Sequence, residues 1–114
     1  MQWTEKEENA ITVLTLTGEI DLQHSPELRK VLQEKIKKSC HALVIDFGGV
    51  EYIDSSGLAT LVEYRRDSRK YKGELALINL TTRVRTIFDL VRLNEIISIY
   101  PTLAEAATAL QTKS

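Results

Sequence analysis

An α/β fold, built on a mixed but mostly parallel sheet of about five strands with about four helices, is what this chain of 114 residues predicts. Three observations predict it. Short apolar runs rich in Val, Ile and Leu alternate with longer stretches that carry apolar side chains at helical spacing. The run Ala42-Leu43-Val44-Ile45 has no polar alternation, which suits a strand covered on both faces by helices, as in parallel sheets. Strands joined through helices imply right-handed crossovers, and an N-terminal hairpin adds one antiparallel pairing.

Taken in order, residues 2–6 and 10–17 read as that hairpin, with Glu8-Asn9 at the turn; the second arm mixes threonines with Ile11, Val13, Leu14 and Leu16. After Gly18-Glu19-Ile20-Asp21, Ser25 followed by Pro26 predicts a helix cap with proline at the first helical position. Leu28, Val31, Leu32 and Ile36 share one stripe, so the first helix is expected over 26–38. The run 42–47 is the expected central strand, and Gly48-Gly49 reads as a flexible turn. Tyr52-Ile53-Asp54-Ser55-Ser56-Gly57 leads into a second helix that starts at the serines, turns Leu58, Leu61 and Val62 inward and ends before Gly73. A strand at 75–78 precedes a third helix with Val84, Ile87, Phe88 and Val91 on its stripe, and a brief strand at 96–100 follows. Thr102 with Glu105 three residues on is a capping-box signature for a closing helix lined by Leu103, Ala106, Ala107 and Leu110. Residues 111–114 read as a loose tail, and the whole, 1–114, as a single domain.

Bulk composition narrows the function. At 43% hydrophobic the chain can bury one core. Fifteen basic against sixteen acidic residues give a net charge of -1, without the positive footprint that nucleic acid or an anionic membrane surface selects. The expected partner is a protein. One cysteine, Cys40, forms no internal disulfide, and the N-terminus lacks a signal peptide's apolar stretch, which predicts a cytoplasmic protein. No apolar run approaches the ~20 residues that cross a bilayer, so no direct membrane insertion is expected.

The element Asp54-Ser55-Ser56-Gly57 carries the functional reading. It lies just past the carboxyl end of a central strand and opens a helix, where α/β sheets meet ligands and partners. Backbone N–H groups of a first turn lack helical partners and the dipole there is positive, so a serine oxygen, or a phosphate on it, is accommodated. Asp54 and Ser55 acting simply as helix caps, worth about 1 kcal/mol, is the plainer reading, and it is compatible with Ser55 being exposed and modifiable.

The wider pattern decides. Gly18-Glu19-Ile20-Asp21 after a strand, then Tyr52-Ile53-Asp54-Ser55-Ser56-Gly57-Leu58, with Ile87-Phe88-Asp89-Leu90, Leu93 and Ile97 near the end, resembles the STAS domain family over nearly the whole chain. More narrowly it resembles the stand-alone bacterial anti-sigma factor antagonists. The resemblance implies a STAS-type fold and a phosphorylation-controlled partner switch. An anti-sigma factor serine kinase phosphorylates Ser55, the unphosphorylated form binds that kinase and so releases a sigma factor, and a PP2C-type phosphatase resets the switch. It further implies that Asp54, Ser55, Ser56, Gly57 and Leu58 form the partner-binding surface with Asp21, whose carboxylate contacts the partner or orients the serine loop unless it is plain solvated surface. The chain departs from the family at Ala59, where many members carry glycine, and at Val91-Arg92-Leu93.

Other chemistry is set aside. A hydrolase would combine Ser55 or Ser56 with His24 or His41 and Asp54 or Asp21, but the G-x-S-x-G elbow is missing. Cys40-His41 lacks the further ligands of a zinc site. There is no phosphate-binding glycine motif, so no cofactor is expected. Arg65, Arg66, Arg69, Lys70 and Lys72 make the end of the second helix basic, either as a solvated, dipole-matched face or as a complement to an acidic patch on the kinase. The alternative within the same fold is a constitutive STAS subunit of a lipid-transport ATPase type of transporter complex.

Overall fold

The computed structural model describes residues 1–111. Five strands, β1 (Gln2–Glu8), β2 (Ile11–Ile20), β3 (Ala42–Ile53), β4 (Glu74–Ile78) and β5 (Ser98–Tyr100), form one sheet in sequence order. β1 pairs antiparallel with β2, and all later pairings are parallel. The helices are α1 (Ser25–Lys37), α2 (Ser55–Ser68), α3 (Thr82–Leu90) and α4 (Leu103–Gln111), with short 3-10 turns at Arg69–Tyr71 and Leu93–Glu95. The expected element order and the mixed, mostly parallel sheet are therefore present.

Same-handed crossovers through an unreversed strand order place α1, α2 and α3 on one face. Their Leu28, Val31, Leu32, Leu58, Leu61, Val84 and Phe88 pack on Leu14, Leu16, Leu43, Ile45 and Phe47 of the sheet. Phe47 meets Phe88 edge to face, centroids 6.0 Å apart. On the other face α4 lays Ala106 and Leu110 over Ile11, Val13, Val44, Ala76 and Ile78. β3 is thus covered on both sides, which is why its first half is an unbroken apolar run. The edge strand β1 is exposed along its whole length and is held to α1 by an ion pair between Glu5 and the buried Lys35.

Several expectations are corrected. The hairpin turn is Asn9-Ala10, both with positive φ, a two-residue loop whose twist matches that of the strands. Gly48-Gly49 is no turn: both glycines lie inside β3, which continues to Ile53. There the register to β2 slips twice, Thr15↔Asp46 becoming Thr17↔Gly49 and Gly18↔Val50 becoming Glu19↔Tyr52, so β3 contains two bulges. A side chain at Gly49 would meet the Thr17 methyl at 2.6 Å, which explains the residue type.

Helix α1 begins at Ser25 with His24 as its N-cap, because Asp21 already supplies acceptors for the turn: its carbonyl takes the His24 and Ser25 N–H groups. Val91 caps α3 and is exposed, and β5 begins only at Ser98 because Leu93–Glu95 forms a 3-10 turn that leaves Ile96 outside. Gln111, expected in a loose tail, is the last residue of α4; the remainder of that expectation, 112–114, lies outside the described residues.

Candidate functional site

The loop between β3 and α2 stands at the carboxyl edge of the sheet. Asp54 leaves the strand in extended conformation and becomes the N-cap of α2. Its Oδ1 accepts hydrogen bonds from the Ser56 N–H (2.9 Å), the Ser56 hydroxyl (2.5 Å) and the Gly57 N–H (3.3 Å), which satisfies donors that a helix start leaves open. Its Oδ2 accepts from the Leu22 N–H of the β2–α1 loop (3.0 Å), and its own N–H donates to the Ile20 carbonyl (3.1 Å). One carboxylate thus joins two loops that are far apart in sequence. The Ser56 hydroxyl bond holds the Asp54 carboxyl below the usual aspartate range; desolvation opposes it and the Gly57, Ser56 and Leu22 amides reinforce it.

The two serines diverge. Ser56 is half-buried and its hydroxyl is committed to Asp54. Ser55 is exposed, and among the described residues its hydroxyl makes no hydrogen bond. Asp54 is therefore the cap, and Ser55 is not. Gly57 and Leu58, expected at the partner surface, turn inward instead. Leu58 is 9% exposed and belongs to the core, and a Cβ on Gly57 would lie 2.7 Å from both Ile20 Cγ2 and Ile53 Cγ1 and 3.0 Å from the Ile20 carbonyl oxygen. Glycine is what lets α2 start this close to the sheet.

Asp21 is half-exposed and faces His24, not the serine loop. Its Oδ1 accepts from the His24 N–H (3.0 Å) and lies 2.7 Å from Nδ1 of the ring. Burial pushes the Asp21 carboxyl up, but the His24 amide, ring and charge outweigh it and leave the group below its ordinary value. The serine loop is oriented by the Leu22 amide, a backbone contact that no residue type announces. His24 is the structural partner of Asp21 and no hydrolase base: among the described residues no hydroxyl of the serine loop bonds a histidine. Cys40 donates its thiol weakly to Thr12 Oγ1 and the Ala42 carbonyl, each at 3.6 Å. In the basic cluster, Arg66 and Lys70 both pair with Asp67 at 3.1 and 3.6 Å.

The sequence pattern of the STAS domain matches residues 2–106. The chain belongs to the STAS domain family. This STAS domain is 37% identical over 92 residues to the anti-sigma-B factor antagonist of Bacillus subtilis (strain 168), covering 81% of this chain and 83% of that one. It is also similar to the crystal structure of an anti-sigma factor antagonist from Mycobacterium paratuberculosis, with 28% identity, a TM-score of 0.88, and coverage of 96% of this chain and 93% of that one. The Bacillus cell fate determinant SpoIIAA in its phosphorylated form shares the fold, with a TM-score of 0.72 at 20% identity over 96% of this chain and 99% of that one. Among the described residues no helix of the STAS domain is long and apolar enough to cross a membrane.

Proposed function

We propose that this STAS domain is an anti-sigma factor antagonist that works as a phosphorylation-controlled partner switch, with Ser55 as the residue modified. The observation that carries the reading is the contrast between adjacent serines: Ser56 has its hydroxyl locked on Asp54, whereas Ser55 presents an uncommitted hydroxyl to solvent. The anti-sigma-B factor antagonist of Bacillus subtilis, at 37% identity, supplies the functional class. In this reading the chain is a substrate and a binding partner, not an enzyme, and it acts in the cytoplasm. Unphosphorylated, it binds an anti-sigma factor serine kinase and frees a sigma factor for transcription; a PP2C-type phosphatase restores that form.

The electrostatics favour a direct block. A phosphoryl group adds about -1.5 to -2 charges. At Ser55 it would stand beside the Asp54 carboxylate, and the Ser56 and Gly57 amides that could otherwise neutralise it are already bonded to that carboxylate. Like charges forced together under a desolvating partner cost affinity, at tenfold for each ~1.4 kcal/mol. Asp21, half-exposed on the neighbouring loop, belongs to the same contact surface.

The test is binding of the purified protein to its anti-sigma factor kinase with ATP or ADP, comparing wild type, Ser55→Ala and Ser55→Asp, with phosphate mapped by mass spectrometry. Phosphate on Ser55 together with tight binding by Ser55→Ala and lost binding by Ser55→Asp is the expected outcome. Equal binding by all three without phosphate would sink the switch.

A further inference from the structure

Beside Ser55 the surface carries an apolar feature that the switch reading does not use. Leu22 is 75% exposed and stands on the loop whose backbone is bonded to the Asp54 carboxylate. Among the described residues the other large exposed apolar side chains lie elsewhere. Leu90 and Val91 stand at the end of α3 and Ile96 follows the next 3-10 turn, at the opposite edge of the sheet, and Trp3 is on β1. Leu22 is not on a loose loop. Its N–H is held at 3.0 Å by Asp54 Oδ2, and the turn that follows is closed by His24 and Ser25 N–H groups on the Asp21 carbonyl at 3.1 and 2.8 Å. A side chain displayed on an ordered backbone loses little further freedom when it is covered.

We propose that Leu22 is the apolar anchor by which the kinase of Ser55 docks on this protein, and that Asp54 is a positioning residue that presents it. The inference rests on the reading of Ser55 as the phosphorylated residue. Covering is a matter of geometry: a stable interface takes about 800 Å² from each partner, a patch about 16 Å in radius. An enzyme centred on the Ser55 hydroxyl therefore covers a residue whose amide touches the carboxylate of residue 54. The occupant is a protein kinase with an apolar pocket next to its catalytic centre. The residue before it, Asp21, is half-exposed and charged, so the pocket that takes Leu22 has a polar rim. Covering a leucine side chain removes its apolar surface from water, so truncating it is expected to weaken docking tenfold or more.

The experiment measures phosphorylation of Ser55 on the full chain by its anti-sigma factor kinase. Leu22→Ala is expected to raise KM at least tenfold with kcat within twofold, Leu22→Met to restore KM to within about threefold, and Leu90→Ala at the far edge to change neither. Asp54→Asn keeps one carbonyl oxygen for the helix cap but replaces the Leu22 acceptor by an amide donor. It is expected to speed hydrogen exchange of the Leu22 N–H at least tenfold and to raise KM, a readout obtained on the free protein as well as with the kinase. Wild-type kinetics retained in Leu22→Ala, with wild-type Ser55 phosphorylated, would overturn the anchor alone. No phosphate on wild-type Ser55 would overturn the Ser55 reading and the anchor with it.

Discussion

Helices α2 and α3 begin at the same edge of the sheet, directly after β3 and β4, yet their starts are built differently. At α3 the Thr81 hydroxyl accepts one bond, from the Val84 N–H at 3.3 Å, an ordinary cap that serves its own helix only. At α2 the Asp54 carboxylate accepts four, one of them from another loop, and the third helical residue is a glycine pressed on Ile20 and Ile53. One start is merely closed; the other is tied to the end of β2 and the loop that follows it. A residue that must be offered to an enzyme at constant geometry belongs on the second kind of scaffold.

Substitutions that erase the difference test it. Gly57→Ala is expected to cost most, about 3 kcal/mol in urea unfolding, because one of the atoms its methyl would meet is backbone, the Ile20 carbonyl oxygen, which cannot rotate away. Asp54→Ala removes a charged acceptor from several donors and is expected to cost about 2 kcal/mol. Thr81→Ala should cost about 1 kcal/mol, and α2 should show no change in hydrogen exchange. If Thr81→Ala proved as damaging as Asp54→Ala, the contrast between the two starts would be gone. Acid should expose the same contrast more gently. The folded Asp54 carboxyl lies below its unfolded value of about 4, so its contribution is complete above that pH and is lost as pH falls through the folded value. Stability between pH 5 and 3 should therefore fall less steeply in Asp54→Asn than in wild type. Smallest of all, Ser55→Ala should leave stability within about 0.5 kcal/mol, since its hydroxyl supports nothing in the fold.

Much of this was readable beforehand, for reasons that can be named. Leu28, Val31 and Leu32 announce α1 because a helix repeats every 3.6 residues, and the run Ala42 to Ile45 announces a sheet strand covered on both faces. The second half of β3 was not readable as strand. Its core residues Phe47, Val50 and Ile53 are spaced by three, since each bulge inserts a residue into an otherwise alternating pattern, and two glycines in a row look like a turn. At the site, Asp54 and Ser55 stand out by type and place, whereas Leu22 enters through its backbone N–H and Gly57 through the space it leaves empty. The Leu22 contact leaves no pattern along the chain, and the element that contains Gly57 does not announce that the glycine is there for packing. The Asp21–His24 pair has the i, i+3 spacing of neighbours on a turn, and that signal was available.

The two bulges in β3 also set a length. Between the pairs Thr12↔Leu43 and Ile20↔Ile53, β2 advances eight residues while β3 advances ten, by subtraction of the paired numbers. Without that slack, Asp54 would overshoot Ile20 and Leu22 by two residues, about 6.6 Å at strand rise. The number of residues between Asp46 and Asp54 is then as much a part of the site as their identities. A one-residue deletion at Gly48 would shift Ser55 relative to α1 while leaving every side chain of the site in the sequence.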